Sequence, residues 1–356
     1  AAAKVDFIIF DVTNGGLTSK VYKGWSDNEP NFIVENVKLV CERISNWNDK
    51  NDWKIRYAIA VGCYAEILVH SKIVNGVEQK ELMSIGQCTE YQAEAVYKDF
   101  YEHPVYGDDH YMLDGKPLLI IHDWGRDLLA VDYGWNNYKG DRTYGDKFTV
   151  RRGQQGQQGC YGWMIPNDPI RDEEVMTVMP GWSSALSKYS KGHTRDNGKR
   201  YLSQWSTVLS GTLPRIVVFC AFNDYNEDMA VFTTDTSKCN PDNDEKWINE
   251  TGKENPSMYW DMTIDGINRV RSINGEYEYS PVVKDYYADV FGSKPLQVGE
   301  NNTDKNSQNK GDNNGLLVGI IIGAAVILII AAVLMVVITQ KNKSSSKPKI
   351  KKIPKH

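Results

Sequence analysis

The sequence predicts an α/β fold of the (β/α)8-barrel type, joined to a single membrane-spanning helix. Three features carry that expectation: seven apolar runs of strand length, amphipathic helix-like stretches between several of them, and one long uncharged run near the C-terminus. The strand-like runs cover residues 6–12, 55–62, 117–123, 147–152, 161–166, 175–181 and 215–224. Most are continuous rather than alternating, as expected of parallel strands buried on both faces. The helix-like stretches are 31–47, 89–103, 198–210 and 256–272. Strand followed by helix, repeated, implies right-handed crossovers and a parallel sheet. Seven strands is one short of a closed eight-stranded barrel, so the first strand is expected upstream of this sequence. A doubly wound open sheet is the alternative, but no Gly-rich phosphate loop follows the first run.

The 356 residues carry 41 Lys plus Arg against 46 Asp plus Glu, a net charge of −5 that hides an asymmetry. The last 17 residues, 340–356, hold seven Lys and no acid, leaving 34 basic against 46 acidic residues before them, a net of −12. Phosphate contacts need clustered Lys and Arg, so a body this acidic excludes nucleic acid as a main partner. Leu316–Thr339 is 24 residues without a charge. As a helix it rises about 36 Å, enough to cross a hydrocarbon core of about 30 Å. Lys-rich flanks stay cytoplasmic. The sequence therefore divides into an ectodomain (1–293), a polar stalk rich in Asn, Asp, Lys and Gly (294–314), a transmembrane helix (315–339) and a basic cytoplasmic tail (340–356). This is the layout of a single-pass type I protein of the plasma membrane, its bulk extracellular. Gly315, Gly319 and Gly323 recur every four residues, a spacing that lets two such helices dimerise.

Two glycosylation sequons, at Asn249 and Asn301, agree with that orientation. The six cysteines (41, 63, 88, 160, 220 and 239) allow fifteen full pairings in an oxidising compartment. Cys220, inside the run IVVFCAF, reads as a buried small side chain instead, and three disulfides are not expected. The chain opens on AAAKVDFIIFDV without Met or signal peptide, which implies a removed signal or a missing upstream coding region.

Barrel sites are built from the C-terminal strand ends. Those ends offer Asp11 and Asn14, then Asp123 and Trp124 after His122, then Arg151 and Arg152, Trp163, Trp182, and the cluster Asn223-Asp224-Tyr225-Asn226-Glu227-Asp228. Indole faces stack on sugar rings, while carboxylates and amides hydrogen-bond hydroxyls, so the mixture points to a carbohydrate ligand. The chain's 10 Trp and 20 Tyr fit it. Asp224 and Glu227 stand three apart just past the last apolar run. Glycosidic cleavage needs one protonated carboxyl near the leaving oxygen and one ionised carboxylate, and neighbouring acids push their pKa values apart. The competing reading is a solvated acidic loop, which Asp228 beside them favours. The nearby Asp242-Asn243-Asp244-Glu245 lacks the Gly and ligand order of a calcium loop, and the six His show no ligand spacing. No metal and no cofactor is expected.

VDFIIFDVTNG, GKPLLIIHDW, FTVRR, YGWMIPN, GKRYLSQW and VVFCAFNDYNED, in that order over residues 5–272, resemble the glycoside hydrolases of families 71 and 99. The resemblance implies a (β/α)8 barrel acting on α-linked mannose or glucose polymers, as endo-α-mannosidases and endo-α-1,3-glucanases do. In that group the last strand ends in Phe-Asn-Glu-Trp-x-Glu-Gly, whose two glutamates act as a pair. One deprotonates the substrate 2-hydroxyl and the other serves as acid and then base. Carried over by position, Asp224 takes the first glutamate and Glu227 the second. Asn223 matches the Asn, Tyr225 stands at the Trp and Asp228 at the Gly. Asp for Glu retracts the carboxylate by about 1 Å, a displacement that can cost about a hundredfold in rate. Asp for Gly sets a like charge beside the acid and is expected to raise its pKa. Asp11, Asn14, Asp123, Trp124, Arg151, Trp163 and Trp182 are then expected to hold sugar, with Asn223 and Tyr225 beside the pair. Three readings follow: a surface-anchored glycoside hydrolase, an inactive glycan-binding adhesin or receptor on the same barrel, and a scaffold independent of glycans.

Overall fold

The computed structural model describes residues 3–13, 17, 32–63, 69–122, 134–153, 159–162, 169, 171–183, 192–238, 246–249 and 252–276. The expected stalk, membrane span and tail lie outside them, as do Asn14, Asp123, Trp124, Trp163, Asn301, Gly315, Gly319 and Gly323. Among the described residues no helix is long and apolar enough to cross a membrane.

The fold is α/β with parallel pairing. Strand β1 (Phe7–Val12) lies parallel to β2 (Arg56–Gly62), with Phe7 opposite Arg56 and Val12 opposite Val61. After a hairpin, β3 (Val69–Val74) and β4 (Val77–Leu82), and a two-residue strand β5 (Met112–Leu113), β6 (Lys116–His122) adds in parallel to β2. Its other edge takes β7 (Thr149–Arg152), Ile120 opposite Arg151. Strands β8 (Val175–Val178) and β9 (Ile216–Phe219) form a second parallel pair. Six of the seven predicted strands are therefore present. The remaining one, 161–166, leaves the described residues at 163.

Both strand faces are covered, which is why the apolar runs are continuous. One set of alternate residues meets in a single cluster: Phe7 and Ile9, Ala58 and Ala60, Leu118 and Ile120, Val175, Ile216 and Val218, plugged by Tyr161. The opposite set faces helices. Ile59, Val61, Leu119 and Ile121 pack with Val37, Cys41 and Ile44 of α1 (Phe32–Asn48) and Cys88, Ala93 and Val96 of α2 (Ile85–Val96). Met176 and Val178 pack with Tyr201, Trp205 and Val208 of α3 (Lys199–Leu209) and Met258, Tyr259 and Met262 of α4 (Met258–Ile273).

The helix expected over 89–103 begins earlier, at Ile85. Ser84 and Gln87 close a capping box there: the Ser84 hydroxyl accepts the Gln87 N–H, and the Gln87 side chain accepts the Ser84 N–H. It then widens into a π-turn over Tyr97–Tyr101. A disulfide, Cys63–Cys88, ties the segment after β2 to α2, while Cys41, Cys160 and Cys220 are buried. The β3–β4 hairpin escaped a search for apolar runs, since VHSKIV and VEQKEL are half polar. Its signal was the Asn75-Gly76 pair, whose φ angles of 54° and 76° make the tight two-residue loop that Asn-Gly adopts readily.

Candidate active site

The inner set of β-strand residues changes character at the C-terminal ends. In phase with Phe7 and Ile9 comes Asp11; in phase with Leu118 and Ile120 comes His122; and in phase with Ile216 and Val218 comes Cys220. Each site residue is thus the next step of a strand whose earlier steps fill the interior. Asp11 is exposed, and its Oδ1 accepts the Thr13 backbone N–H at 2.8 Å and the Thr13 hydroxyl at 2.7 Å. His122 is buried, its Nδ1 3.0 Å from the Gly153 carbonyl oxygen. Burial pushes its pKa down, opposed by that carbonyl and by the charge of Asp11.

Past β9 the chain doubles back. Ala221 N–H donates to Met229 O, Val231 N–H to Ala221 O and Phe232 N–H to Phe222 O, closing a loop whose tip runs from Asn223 to Asp228. The Asp224 carbonyl accepts the N–H groups of both Met229 and Ala230. The side chain of Asp224 caps the turn, its Oδ1 accepting the Glu227 N–H at 3.1 Å. Cys220, Met179 and Met229 make a buried floor, with Trp182 packed against it.

Asp224 and Glu227 are half-buried on this loop, and the field of Asp11 reaches both. Burial raises the pKa of Asp224; the Glu227 N–H opposes the shift, and Asp11 adds to it. Burial also raises that of Glu227, with Asp224 as the next cause; the Trp182 hydrogen bond opposes the shift, and Asp11 adds to it. That bond runs from Trp182 Nε1–H to Glu227 Oε2 at 3.3 Å, and Ser183 N–H donates to the Glu227 carbonyl at 2.8 Å. Trp182 therefore orients the acid, a role beyond the stacking expected of it.

Asp228 does not behave as the expected solvated or repulsive charge. It is 7% exposed and ion-paired at 2.8 Å to Arg195, itself 1% exposed. Its φ of 53° is the left-handed conformation that Gly supplies without strain and that Asp tolerates.

Of the expected sugar-binding residues, Asp11, Trp182, Asn223 and Tyr225 gather here. Asn223 and Tyr225 are exposed, and the Tyr225 hydroxyl donates to Phe232 O at 3.2 Å. Beside it Phe222 and Phe232 lie 4.6 Å apart, ring centre to ring centre, and both are more than 40% exposed against Trp260. Arg151 is not brought to this site. Its side chain forks onto Glu174 (2.7 and 2.9 Å) and reaches Asp114 (3.3 Å), residues that precede β8 and β6 at the opposite, N-terminal strand ends. Asn14, Asp123, Trp124 and Trp163 lie outside the described residues. Sequence reasoning missed Arg195, Phe222, Phe232 and Trp260. The two Phe flank the acidic cluster in sequence, a signal that was readable; Arg195 had none. No group of three or more metal-ligating side chains occurs among the described residues.

No family model matches the chain, and no curated protein matches it by sequence. Solved structures do. The fold is similar to that of a family 99 endo-α-mannosidase. The structure of that enzyme from Bacteroides thetaiotaomicron, in complex with bis-tris-propane, superposes with a TM-score of 0.50 at 13% identity, covering 77% of this chain and 82% of the enzyme. A second structure of the same enzyme gives 0.42 at 13% identity, over 70% and 81%. At this identity the likeness is one of fold, and it agrees with the α/β, parallel-sheet relationship to families 71 and 99 expected from the motifs.

Proposed function

We propose that the chain is a glycoside hydrolase acting on α-linked glycans of mannan or glucan type, with Glu227 as general acid and Asp224 as base or nucleophile. The observation that carries the reading is the pairing of Asp224 and Glu227 on one braced loop beyond β9, both with pKa values raised and Asp11 and Trp182 facing them. A raised pKa keeps an acid protonated toward neutral pH, where it can protonate a leaving oxygen. The interior cluster shared by β1, β2, β6, β8 and β9 supports a (β/α)8 barrel as the scaffold, its first strand expected upstream. Asn223 and Tyr225, with the rings of Phe222 and Phe232, extend a surface suited to sugar.

We further propose that the ectodomain (1–293) stands outside the cytosol on a stalk (294–314), anchored by 315–339 with 340–356 inside. The Cys63–Cys88 disulfide supports an oxidising compartment, and the sequon residue Asn249 is partly exposed. Gly315, Gly319 and Gly323 then offer a helix-pairing face within the membrane.

One observation favours a glycan-binding protein without turnover: Asp224 has the shorter carboxylate, and its Oδ1 is held by its own turn. Turnover of α-mannan and α-glucan oligosaccharides separates the two. Hydrolysis reduced at least a hundredfold in Glu227→Gln and in Asp224→Asn establishes the hydrolase. Binding of such a glycan without cleavage establishes the alternative, and wild-type turnover in both variants removes the pair from the mechanism.

A further inference from the structure

Arg195 holds Asp228, the residue next to the candidate acid. Its guanidinium is inaccessible and stacks over two rings, Tyr259 at 4.5 Å and Trp247 at 4.9 Å. Nε donates to Asp228 Oδ1 at 2.8 Å, while Nη2 donates to the carbonyls of Asp228 and Ala230 at 2.8 and 2.9 Å. One side chain therefore grips the return arm of the loop at a carboxylate and two backbone oxygens. Its aliphatic stem runs under Gly181, where a Cβ would come within 2.7 Å of Arg195 Cγ. Only glycine lets the Gly181–Trp182 backbone lie that close. Trp182 in turn pairs through its backbone with His193 and donates its indole N–H to Glu227.

We propose that Arg195 is a positioning residue for Glu227: it locks the Asp228–Ala230 arm against the Gly181–Trp182 segment and cancels the charge that Asp228 sets beside the acid. This rests on the reading of Glu227 as the acid. Burying a guanidinium is costly unless it is paired and hydrogen-bonded; here Nε and Nη2 are bonded, Nε in an ion pair, while the adjacent Glu227 stays half-buried. The other groups facing Glu227 are Asp224 on its own loop, Asp11 from β1, the Cys220 thiol just past β9 and the Trp182 indole. His122 from β6 lies within the field of Asp11. Those carboxylates are negative, so an uncompensated Asp228 would add to repulsion already present. The Arg195 ion pair sets a positive charge 2.8 Å from that carboxylate.

The test is carboxyl-carbon NMR titration of glutamate-labelled protein, the Glu227 signal assigned by its loss in Glu227→Gln. Asp228→Asn leaves the arginine's charge unbalanced and is expected to lower the Glu227 midpoint by roughly half to one pH unit. Arg195→Gln leaves Asp228 unbalanced and is expected to raise it by a similar amount, while the double variant returns it to within about 0.3 unit. The Trp182 indole N–H signal shifts in Arg195→Gln. Should Arg195→Gln not fold, Asp228→Asn and Asp228→Gly carry the test, since both tolerate the left-handed backbone. Unchanged Glu227 midpoints in these folded variants overturn the proposal. The titration needs no turnover, so an absence of hydrolysis sinks the hydrolase reading alone.

Discussion

Trp182 and Glu227, 45 residues apart in sequence, meet through an indole N–H and a carboxylate oxygen 3.3 Å apart. A donor aimed at a carboxylate stabilises its ionised form, so this bond works against the burial and the negative neighbours that hold the Glu227 pKa up.

Removing the donor therefore shifts the acid in a known direction. In Trp182→Phe the Glu227 midpoint is expected to rise by roughly half a unit, and the alkaline limb of any pH–rate profile moves up with it. A fall would mean that the indole acts chiefly by excluding water. Both outcomes are read by the same carboxyl-carbon titration.

The mouth carboxylates should destabilise the fold when ionised. Their folded-state pKa values are raised, so the native state binds protons more tightly than the unfolded chain. Stability is then highest below the ordinary carboxylate range and declines as pH rises through the raised values. The variant Asp224→Asn with Glu227→Gln keeps an oxygen acceptor at both positions and loses the charge. Its Tm at pH 7 is expected to exceed the native one by about 1–3 °C, and the gain should vanish near pH 4. A lower Tm at pH 7 would count against charge burial at the mouth.

Arg151 shows the opposite linkage. Its fork holds the Glu174 carboxyl below the ordinary glutamate range, with Tyr161 O–H also donating to it. That contribution is present above the ordinary pKa and is lost as pH falls through the depressed value. Arg151→Met is expected to cost about 1–2 kcal/mol at pH 7, and less in acid, by denaturant unfolding. Glycan affinity should stay within about twofold. A large affinity loss without destabilisation would return Arg151 to the ligand.

The Cys63–Cys88 bridge closes a loop with a sequence separation of 25. Chain-entropy reasoning puts its worth at about 3 kcal/mol. Cys63→Ala with Cys88→Ala should lower the unfolding midpoint accordingly, and reductant should have no further effect on the variant. Equal midpoints with and without reductant in the native protein would show the bridge to be unformed.

What was legible in the sequence follows from burial. Strands β1, β2 and β6 announced themselves because both of their faces are covered, which leaves few polar positions among residues such as Ile59, Val61, Leu119 and Ile121. The β3–β4 hairpin has no such constraint and showed only its turn. At the site, Asp224 and Glu227 were readable because they share one loop. Period-two alternation admits only one of Arg151 and Arg152 to the inner face, and the register puts Arg151 there, opposite Ile120. It could not say toward which end of the strand a long side chain reaches. Arg195 lies in a polar stretch, 33 residues from Asp228, and no local pattern links them. Nor does sequence show that a residue in the glycine position has a left-handed backbone and a buried partner.

That last feature couples two positions far apart in the chain. Glycine and aspartate differ by one base in the codon, and at a φ of 53° the exchange is conformationally quiet. Electrically it is not: it puts a carboxylate where almost no water reaches. Arginine at 195 answers it with an ion pair, two carbonyls and two aromatic rings. Either partner alone would leave an uncompensated charge in the interior, so exchanges at 195 and 228 are tolerated together more readily than singly.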